Sequence, residues 1–519
     1  MTGFSLASCP VLTGIATFAI YALEPRRVWV EVDIRAGLPS FAIVGLGDKA
    51  VRESRERVRA ALLNSGFDFP MKRITANLAP AYLRKTGPSY DLALAVGILA
   101  ASNQLAPELL APYAVFGELG LGGRLRPCRG VLAVAEGARR SGPPGLLVAR
   151  AQAREASLVE GVEVVGVDTL REAVEVLSGE RSAPDPPPEP SAALAPAENG
   201  PDLADVRGHA LPRRALEITA AGGHNLLMQG PPGTGKTMLA RRLPSILPPL
   251  TAEEAIEVTR IRSVAGLHIG HDLTREPPFR SPHHTISSSG LIGGGSLPAP
   301  GEATLAHLGV LFLDELSEFS RPSLEALRQP LEDGCVIVVR GQHVAVFPTR
   351  IMLVASTNPC ACGFAGAGEG RCRCSEGEIA RHRRRLSGPL LDRIDLLVDV
   401  QRPSSGELVT ATAEGSAAVR ERVLAARERQ AARLKGLPSD CNGQMDAGVV
   451  RATVRSDPAA RKALLDAYDV GRLSARGHHR VLRVAQTIAD LDDHPIVTRP
   501  HVLQALSLRG YEAGERLAA

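Results

Sequence analysis

The chain has 519 residues, of which 44% are hydrophobic and 22% are charged, and its formal net charge is +4. This length and composition are typical of an ordinary globular protein with roughly two to four domains. A net charge this small is no argument for nucleic-acid binding. Eight cysteines in so long a chain, with no export signal, indicate a reducing compartment, so we expect a cytoplasmic protein.

Residues 1–178 are predicted to form a mixed α/β domain. The apolar start from Phe4 to Leu23 is interrupted by Pro10 and Gly14 and lacks a basic flank, so we expect neither a signal peptide nor a membrane span. Hydrophobic patterns in the rest of this part predict strands at Val28–Ile34, Phe41–Val44 and Arg73–Leu78, and helices at Val51–Ser65 and Tyr90–Ala101.

A proline-rich segment separates this domain from the rest of the chain. Ser182–Ser191 contains five prolines, which fit neither a helix nor a central strand, so residues 179–200 are predicted to be an extended linker. Over residues 201–402 apolar strands alternate with helices, as in a parallel α/β sheet. Residues 403–519 have a helical pattern throughout, which predicts a helical subdomain.

The run GPPGTGKT at residues 230–237 fits the phosphate-loop pattern G-x-x-x-x-G-K-T. It lies between a predicted strand, Asn225–Gln229, and a predicted helix from Met238, which is the context that the motif requires. Glycines let successive N–H groups face phosphates, Lys236 can reach the β- and γ-phosphates, and the Thr237 hydroxyl can coordinate Mg²⁺. The sequence therefore predicts that a nucleoside triphosphate is bound by Gly230, Pro231, Pro232, Gly233, Thr234, Gly235, Lys236 and Thr237.

Two later apolar strands end in polar residues that suit phosphoryl transfer. The first, from Gly309, runs into Asp314 and Glu315. Beside the phosphate loop, Asp314 would hold Mg²⁺ and Glu315 would orient and activate the attacking water, whereas the alternative is that both only cap the next helix. The second strand, Ile351–Ala355, is followed by Asn358, which could position the water or report on the γ-phosphate.

Between these two strands, Val336–Val346 has the pattern of a β-hairpin. Its predicted turn, Arg340-Gly-Gln-His343, is polar and basic, which suits contact with a nucleic-acid backbone without sequence reading. A solvated turn with no further role also fits the sequence.

Four of the eight cysteines cluster as Cys360-Ala-Cys362 and Cys372-Arg-Cys374. Four thiolates can hold zinc tetrahedrally, and the glycines between the pairs let the loop wrap around a metal, although the C-x-C spacing is tighter than usual. The sequence predicts a structural zinc site, with free reduced thiols as the alternative.

Two arginines lie where phosphoryl transfer could use a positive charge. Arg393, predicted on a short helix before the strand Ile394–Val398, either serves a neighbouring subunit or pairs with Asp392 or Asp395. Arg476, in the helical part, either contacts the nucleotide or is simply solvated. The spacing alone leaves both pairs of alternatives open.

These motifs together resemble the magnesium-chelatase-like AAA+ ATPases, specifically the ComM/YifB subfamily. The resemblance covers nearly the whole chain and includes Leu216–Asn225, Phe279–Thr285, Gly293–Gly295 and Leu386–Asp395. It implies an α/β fold with a P-loop AAA+ parallel core and a C-terminal helical lid, and ATP and Mg²⁺ as ligands. The residues implied to act in cis are Lys236, Thr237, Asp314, Glu315 and Asn358.

The same resemblance implies a homo-hexameric ring with ATP at the subunit interfaces, Arg393 acting in trans and Arg476 as a sensor on the lid. It also implies a branch-migration helicase in recombination or natural transformation, which binds single-stranded or branched DNA without sequence specificity. The hairpin around Arg340 would then project into the pore of the ring.

The N-terminal domain resembles the proteolytic domain of Lon, and Lys85–Ser89 matches the segment that carries the nucleophile. Lon uses a lysine as the base, but here Val134 stands near the expected position. Ser89 is therefore predicted to have a structural role at a helix start, and the domain to be a non-proteolytic scaffold.

Two other functions remain compatible with the sequence. One is the motor subunit of a metal-insertion complex of the chelatase type, which would need partner subunits. The other is a nucleotide-controlled scaffold that remodels proteins. Stimulation of ATP hydrolysis by DNA would separate the helicase from both.

Overall fold

The computed structural model describes residues 13–182, 200–267, 273–295, 298–340, 343–366, 371–386, 388–410, 413–470 and 473–509. The chain divides into two compact units, one of Met1–Ala193 and Ala255–Thr274 and one of Leu194–Glu254 and Arg275–Ala519. Residues 4–12 of the apolar start and residues 183–199 of the predicted linker lie outside the described part. The domain boundaries expected from the sequence stay a prediction.

The described part of the first unit contains both strands and helices. The strands are β1 (Thr13–Tyr21), β2 (Glu24–Arg35), β3 (Ser40–Val44), β4 (Arg73–Ala79), β5 (Tyr113–Phe116), β6 (Glu118–Leu119), β7 (Leu125–Arg126), β8 (Gly145–Ala149) and β9 (Glu163–Val167). The helices are α1 (Lys49–Asn64), α2 (Asp91–Ala101), α3 (Val131–Ser141), α4 (Arg150–Ala156) and α5 (Leu170–Leu177).

A mixed sheet forms the centre of this unit, and in the described residues it has seven strands in the order β3-β4-β2-β1-β5-β8-β9. Its strands follow from simple alternation, because Val28, Val30 and Val32 of β2 are buried while the residues between them are more exposed. The three strands and two helices predicted for this part are confirmed, with bounds that differ by a few residues.

The helix start near Ser89 matches the prediction in part. The cap position of α2 is Tyr90, and no side chain caps this helix. Its first N–H groups bond to backbone carbonyls instead, with Asp91 donating to Pro88 and Leu92 to Gly117, each at 3.1 Å. Ser89 lies directly before this cap position, and its carbonyl oxygen accepts from the N–H of Gly117 at 3.0 Å, so it stands at the helix start as predicted but does not cap the helix with its side chain. The non-proteolytic character of this domain stays a prediction.

The second unit has short strands among many helices. Its described strands are β10 (Leu226–Gln229), β11 (Phe279–Arg280), β12 (Gly293–Gly294), β13 (Ala299–Pro300), β14 (Val310–Leu313), β15 (Cys335–Arg340), β16 (His343–Pro348), β17 (Met352–Thr357) and β18 (Leu396–Asp399). The remaining described helices are α6 (Ala210–Gly222), α7 (Lys236–Ala240), α8 (Leu243–Ile246), α9 (Ala252–Ala265, mostly in the first unit), α10 (Ser288–Ile292), α11 (Glu302–Leu305), α12 (Arg321–Ala326), α13 (Arg328–Asp333), α14 (Glu376–Arg385), α15 (Gly388–Leu391), α16 (Ser405–Thr410), α17 (Ser416–Leu434), α18 (Ala447–Thr453), α19 (Pro458–Asp469), α20 (Ala475–Leu491) and α21 (Arg499–Ser507).

A parallel sheet organises this unit, and its described strands number five in the order β11-β14-β17-β10-β18. All four residues of β14 and all six of β17 are buried, as expected for strands covered on both faces. The carboxyl ends of β10, β14 and β17 lie at one edge, so the residues after these strands come together there. This sheet confirms the expected α/β class with a P-loop AAA+ core.

The predicted hairpin is confirmed as a separate antiparallel pair, β15 with β16, in which Arg340 pairs with His343. Gly341 and Gln342 of the predicted turn lie outside the described residues. One face of the hairpin is buried, whereas the other exposes four aliphatic side chains, Ile337, Val339, Val344 and Val346. The turn was predicted from the sequence, whereas this apolar face was not.

Helices dominate the end of the chain, as predicted. The long helices α17 and α20 pack on α6 through one apolar cluster that includes Leu216, Val423, Ala426, Val484 and Ile488. None of the helices in the described part of the chain combines the length and apolarity needed to cross a membrane.

Candidate functional site

The phosphate loop leaves the end of β10 and leads into α7, as the motif predicts. Gly233 and Gly235 have φ angles of +75° and +85°, a left-handed conformation that glycine adopts without strain. Among the described residues, no acceptor takes the N–H groups of residues 233–235. These N–H groups therefore fit a phosphate, which would accept from several of them at once.

Lys236 lies within this loop with its side chain largely buried. Its Nζ donates to the carbonyl oxygens of Gly230 at 2.6 Å and Pro231 at 2.8 Å, and to Oδ1 of Asn358 at 3.3 Å. Burial lowers the pKa of Lys236, while the negative charges of Asp314 and Glu315 oppose that effect. The structure thus brings the predicted lysine and the predicted asparagine into contact.

Asp314 stands at the end of β14, opposite the phosphate loop. Its Oδ2 accepts a hydrogen bond from the Thr237 hydroxyl at 2.7 Å, and Ser356 donates to Oδ1. The hydroxyl of Ser356 also accepts from the N–H of Glu315 at 3.3 Å. A hydroxyl and a carboxylate are oxygen ligands that Mg²⁺ prefers, so Thr237 and Asp314 fit the predicted magnesium site.

Ser356 was not among the predicted site residues, because its place beside Asp314 depends on how two strands are aligned. Leu313 pairs with Ala355 in the parallel ladder between β14 and β17. The next residue on each strand is therefore Asp314 on one and Ser356 on the other, so a polar residue one position after Ala355 faces the acidic pair. The register, which is not visible in the sequence, was needed to see this.

Glu315 differs from Asp314 in its surroundings. Its backbone is left-handed, with φ +54°, which is uncommon for a residue other than glycine, and 55% of its side chain is exposed. The nearest described ionisable partner is Nδ1 of His284, 4.0 Å from Oε2 of Glu315. An exposed carboxylate beside the phosphate loop can accept a proton from a water molecule there.

Arg393 pairs with a residue that the sequence did not suggest. Its guanidinium donates to the carboxylate of Glu332 on α13, and this hydrogen bond lowers the pKa of Glu332. Of the two intramolecular partners considered, Asp395 is buried and contacts His224 and Arg483.

Arg476 lies in the first turn of α20 and is exposed. No hydrogen bond or ion pair among the described residues joins it to the phosphate loop. Its charge contributes, after those of Arg393 and Arg328, to lowering the pKa of Glu332, so three arginines act on one carboxylate. The in-trans role of Arg393 and the sensor role of Arg476 stay predictions.

A buried polar cluster, which the sequence analysis did not identify, links the sheet to the helical part. His224, which is fully buried, contacts Asp395 at 3.2 Å through Nδ1 and the hydroxyl of Thr487 at 2.8 Å through Nε2. Arg483 donates to Asp395 at 3.0 Å, and Arg480 lies 3.9 Å from the same carboxylate. The cluster therefore ties α20, which begins near Arg476, to the segment that carries Arg393.

The four clustered cysteines converge as predicted. Their sulfur atoms all lie within 4.8 Å of one another, and three of the separations are 3.4, 3.6 and 3.7 Å. Zn–S bonds of about 2.3 Å in a tetrahedron place sulfurs about 3.8 Å apart. The set of thiols Cys360, Cys362, Cys372 and Cys374 therefore fits one zinc ion.

This cysteine loop packs against the nucleotide site. Gly363 has φ +86°, and a methyl group there would lie only 2.8 Å from Cδ of Pro232 in the phosphate loop. On the helix that follows the loop, His382 contacts the carbonyl oxygen of Asn358 at 3.1 Å through Nε2. The conformation of the loop and the position of Asn358 are thus physically connected.

Comparison with known proteins gives a consistent result over almost the whole chain. Family models described as "Magnesium chelatase, subunit ChlI", "Subunit ChlI of Mg-chelatase" and "Magnesium chelatase, subunit ChlI C-terminal" match residues 202–408, 30–152 and 413–509. An uncharacterized protein of Mycobacterium tuberculosis is 44% identical over 95% of this chain and 97% of its own length. YifB of Escherichia coli and the competence protein ComM of Haemophilus influenzae are each 42% identical over 96% of this chain and 97% of theirs.

Such identity over nearly full lengths exceeds what a shared fold alone would give, and it agrees with the phosphate loop and acidic pair described above. The AAA+ ATPases to which these models and relatives point bind ATP with Mg²⁺, which the geometry around Lys236, Thr237 and Asp314 fits. The chain belongs to the magnesium-chelatase-like AAA+ ATPases, in the subfamily of YifB and ComM.

Proposed function

We propose that this protein is a hexameric ATP-driven motor that moves along single-stranded or branched DNA as a branch-migration helicase. The observation that carries the ATPase part is the hydrogen-bonded set of Lys236, Asn358, Thr237 and Asp314 at one edge of the sheet. The DNA part rests on the relative named a competence protein, since competence is the uptake of DNA, and on the hairpin β15–β16.

Different residues of this chain are proposed to carry out different steps of ATP hydrolysis. The loop N–H groups and Lys236 bind the β- and γ-phosphates of ATP, and Asn358 orients the γ-phosphate or the water beside it. Glu315 accepts the proton of the attacking water, because its carboxylate is exposed next to the phosphate loop. Thr237 and Asp314 would hold Mg²⁺, which neutralises charge that develops on the phosphate oxygens.

In the ring, Arg393 completes the site of the neighbouring subunit and stabilises the charge of the transition state. It would have to leave Glu332, whose side chain is 62% exposed, whereas that of Arg393 is only 10% exposed in the structure. Arg476 then senses the nucleotide from the helical part. The exposed aliphatic face of the hairpin supports assembly, because four such side chains together favour contact with another protein surface.

The cysteine cluster is proposed to hold one structural zinc ion per subunit. Support comes from the sulfur separations, which match a tetrahedral site, and from the contact of Gly363 with the phosphate loop. The chemistry of zinc with four thiolates is structural, with no open position for catalysis. The metal would keep the loop after Asn358 in one conformation.

A second function, that of a motor subunit in metal insertion, is favoured by one observation. A magnesium-chelatase subunit of Chlorobaculum parvum is 28% identical over 37% of this chain, but this covers only 26% of that protein. The match is too short to outweigh the full-length relatives. A chelatase motor would hydrolyse ATP without any response to DNA.

The test of the ATPase assignment is hydrolysis of ATP with Mg²⁺ by wild type, Lys236→Ala and Glu315→Gln. Glu315→Gln should bind ATP as wild type does and lose about 10²–10⁴ in rate, whereas Lys236→Ala should lose binding. Wild-type turnover in Glu315→Gln would refute the role of this carboxylate.

A further inference from the structure

Trp29 is the only tryptophan of the chain, and it lies exposed on the central sheet of the first unit. It belongs to β2 and faces away from Val28 and Val30, which are fully buried, whereas Trp29 is 40% exposed. Tryptophan is on average a highly buried residue. A ring left this open, in a chain with only 3% aromatic residues, is a candidate contact for a partner molecule.

The surroundings of Trp29 hold its ring without covering it. The residues paired with Trp29 across the sheet are two alanines, Ala16 on β1 and Ala79 on β4, so no long side chain stands at those positions. Cζ of Arg27, two residues earlier on the same face, lies 5.1 Å from the ring centroid. This cation–π contact limits the movement of the ring, and the exposed part of its surface can accept another flat group.

Tyr82 is a second exposed aromatic residue at the same end of the sheet. Because β4 runs antiparallel to β2, the turn after β4 lies beside the beginning of β2, where Arg27 and Trp29 are found. The N–H of Leu83 donates to the carbonyl oxygen of Pro80 at 3.3 Å and closes this turn, and Tyr82 within it is 76% exposed. Two open aromatic rings therefore lie near one corner of the sheet.

Arginines surround this corner. Arg84 follows Tyr82 by two residues, and it is exposed. Arg27 donates to the carbonyl oxygen of Ser141, so the end of α3, with the exposed Arg139, lies next to the start of β2. Among the residues that the structure describes, no carboxylate lies within ion-pair distance of Arg27, Arg84 or Arg139. Their positive charges are therefore available to an anion.

The carboxylates near this corner are already paired. Glu24 and Glu136 lie 3.5 and 3.4 Å from the guanidinium nitrogens of Arg140. Glu31, on the exposed face of β2, accepts from the amide of Asn77 at 2.8 Å. The charge left unpaired is positive, which favours a negatively charged partner. Aromatic rings beside arginines are also the means by which proteins hold the stacked bases and the backbone of a single strand.

We propose that this corner is a binding site for single-stranded DNA, formed by Arg27, Trp29, Tyr82, Arg84 and Arg139. Bases stack on the two aromatic rings, while the arginines contact the phosphates. Every base has a face that can stack, so the site holds a strand without reading its sequence. The inference rests on the proposed action on DNA, and it adds a DNA contact in the first unit to the one proposed for the hairpin.

The single tryptophan makes this site directly observable in the full-length protein. A base stacked on Trp29 quenches its fluorescence, so titration with a short oligothymidylate should quench the emission to saturation. The anisotropy of labelled oligothymidylate follows total binding in parallel. A blunt duplex should leave the emission unchanged, because its bases are stacked within the double helix. The quenching should persist in the variant with Arg340→Ala and His343→Ala, whose substitutions lie in the second unit.

Substitutions in the corner should weaken the oligothymidylate titration. Tyr82→Ala removes one stacking ring at a highly exposed position and should raise the midpoint about tenfold, the order expected for one stacked base. Arg84→Ala should raise it less and reduce its dependence on salt. Arg35→Ala is the matched control, because Arg35 is exposed on the same strand, pairs with Asp33 at 2.7 Å and lies about 20 Å from Trp29. It should match wild type.

Oligothymidylate that binds without quenching Trp29 would overturn the inference, as would equal quenching by the duplex. The inference would also be wrong if Arg35→Ala shifted the midpoint as much as Tyr82→Ala does. Failure of the proposed function gives a different result, because quenching without any stimulation of ATP hydrolysis by DNA would leave this site in place and refute the motor. If no DNA binds by either measure, both are refuted.

Discussion

Replacing Asp395 by asparagine removes the negative charge at the centre of the buried polar cluster while keeping its shape. The carboxylate is 4% exposed and faces Arg483 and Arg480, whose side chains are 17% and 12% exposed. Burial lowers the pKa of Arg480 to about 10, so it stays charged at neutral pH. The variant would leave these two positive charges, one hydrogen-bonded to Asp395 and one 3.9 Å away, without their counter-charge.

Removal of one partner from a buried charge pair costs about 3–5 kcal/mol. The lower end applies here, because both arginines retain some contact with water and asparagine can still bond to His224. A loss of about 3 kcal/mol corresponds to a fall in Tm of roughly 6–12 °C for a large domain. Asp392→Asn is the matched control, since it makes the same chemical change at an exposed position three residues earlier.

Far-ultraviolet circular dichroism is the suitable probe of unfolding. Tryptophan fluorescence would not report on Asp395, because the only tryptophan of the chain, Trp29, lies in the first unit.

Burial would raise the pKa of Asp395, but the charge of Arg483 and the hydrogen bond from His224 outweigh it and hold the pKa below its ordinary value. A depressed pKa stabilises the fold above the unfolded value, about 3.9, and this contribution is lost as the pH falls below it. The difference between wild type and Asp395→Asn should therefore shrink below pH ~4. A Tm of Asp395→Asn equal to that of Asp392→Asn would refute the reasoning.

Three further predictions concern the ring, the metal and the first unit. Arg393→Ala mixed with Lys236→Ala should regain some ATP hydrolysis, because some interfaces then hold both groups; no recovery in mixed rings confirmed by mass measurement would contradict the in-trans role. Protein purified without added metal should contain one zinc ion per subunit, and Cys372→Ser should lose it; elemental analysis that finds folded, active wild type free of metal would rule the site out. Ser89→Ala should leave ATP hydrolysis unchanged, and labelling of Ser89 by a serine-directed probe with peptide cleavage lost in the variant would reverse the non-proteolytic assignment.

Local patterns in the sequence were sufficient to predict the strands that carry the phosphate loop and the polar residues beside it. The strands β10, β14 and β17 are continuous apolar runs followed directly by polar residues, so both their type and the edge they share follow from hydrophobicity alone. The cysteine cluster is likewise local, because all four thiols lie within fifteen residues.

Contacts that depend on register or on distant segments could not be predicted. β11 has only two residues and no strand-like pattern of its own, yet its pairing brings His284 to Glu315. Ser356 meets Asp314 only through the alignment of two strands. Arg393 pairs with Glu332, which lies 61 residues away, and the spacing of residues in the sequence cannot predict a pairing over that distance.

The rate of ATP hydrolysis with and without forked or four-way DNA tests the central claim most directly. We expect DNA to stimulate wild type, and a variant with Arg340→Ala and His343→Ala to hydrolyse ATP at the DNA-free rate whether or not DNA is present. These side chains should contact phosphates, so the stimulation should weaken as salt rises. If DNA leaves the wild-type rate unchanged and no joint molecule moves in a gel assay, the helicase proposal is wrong.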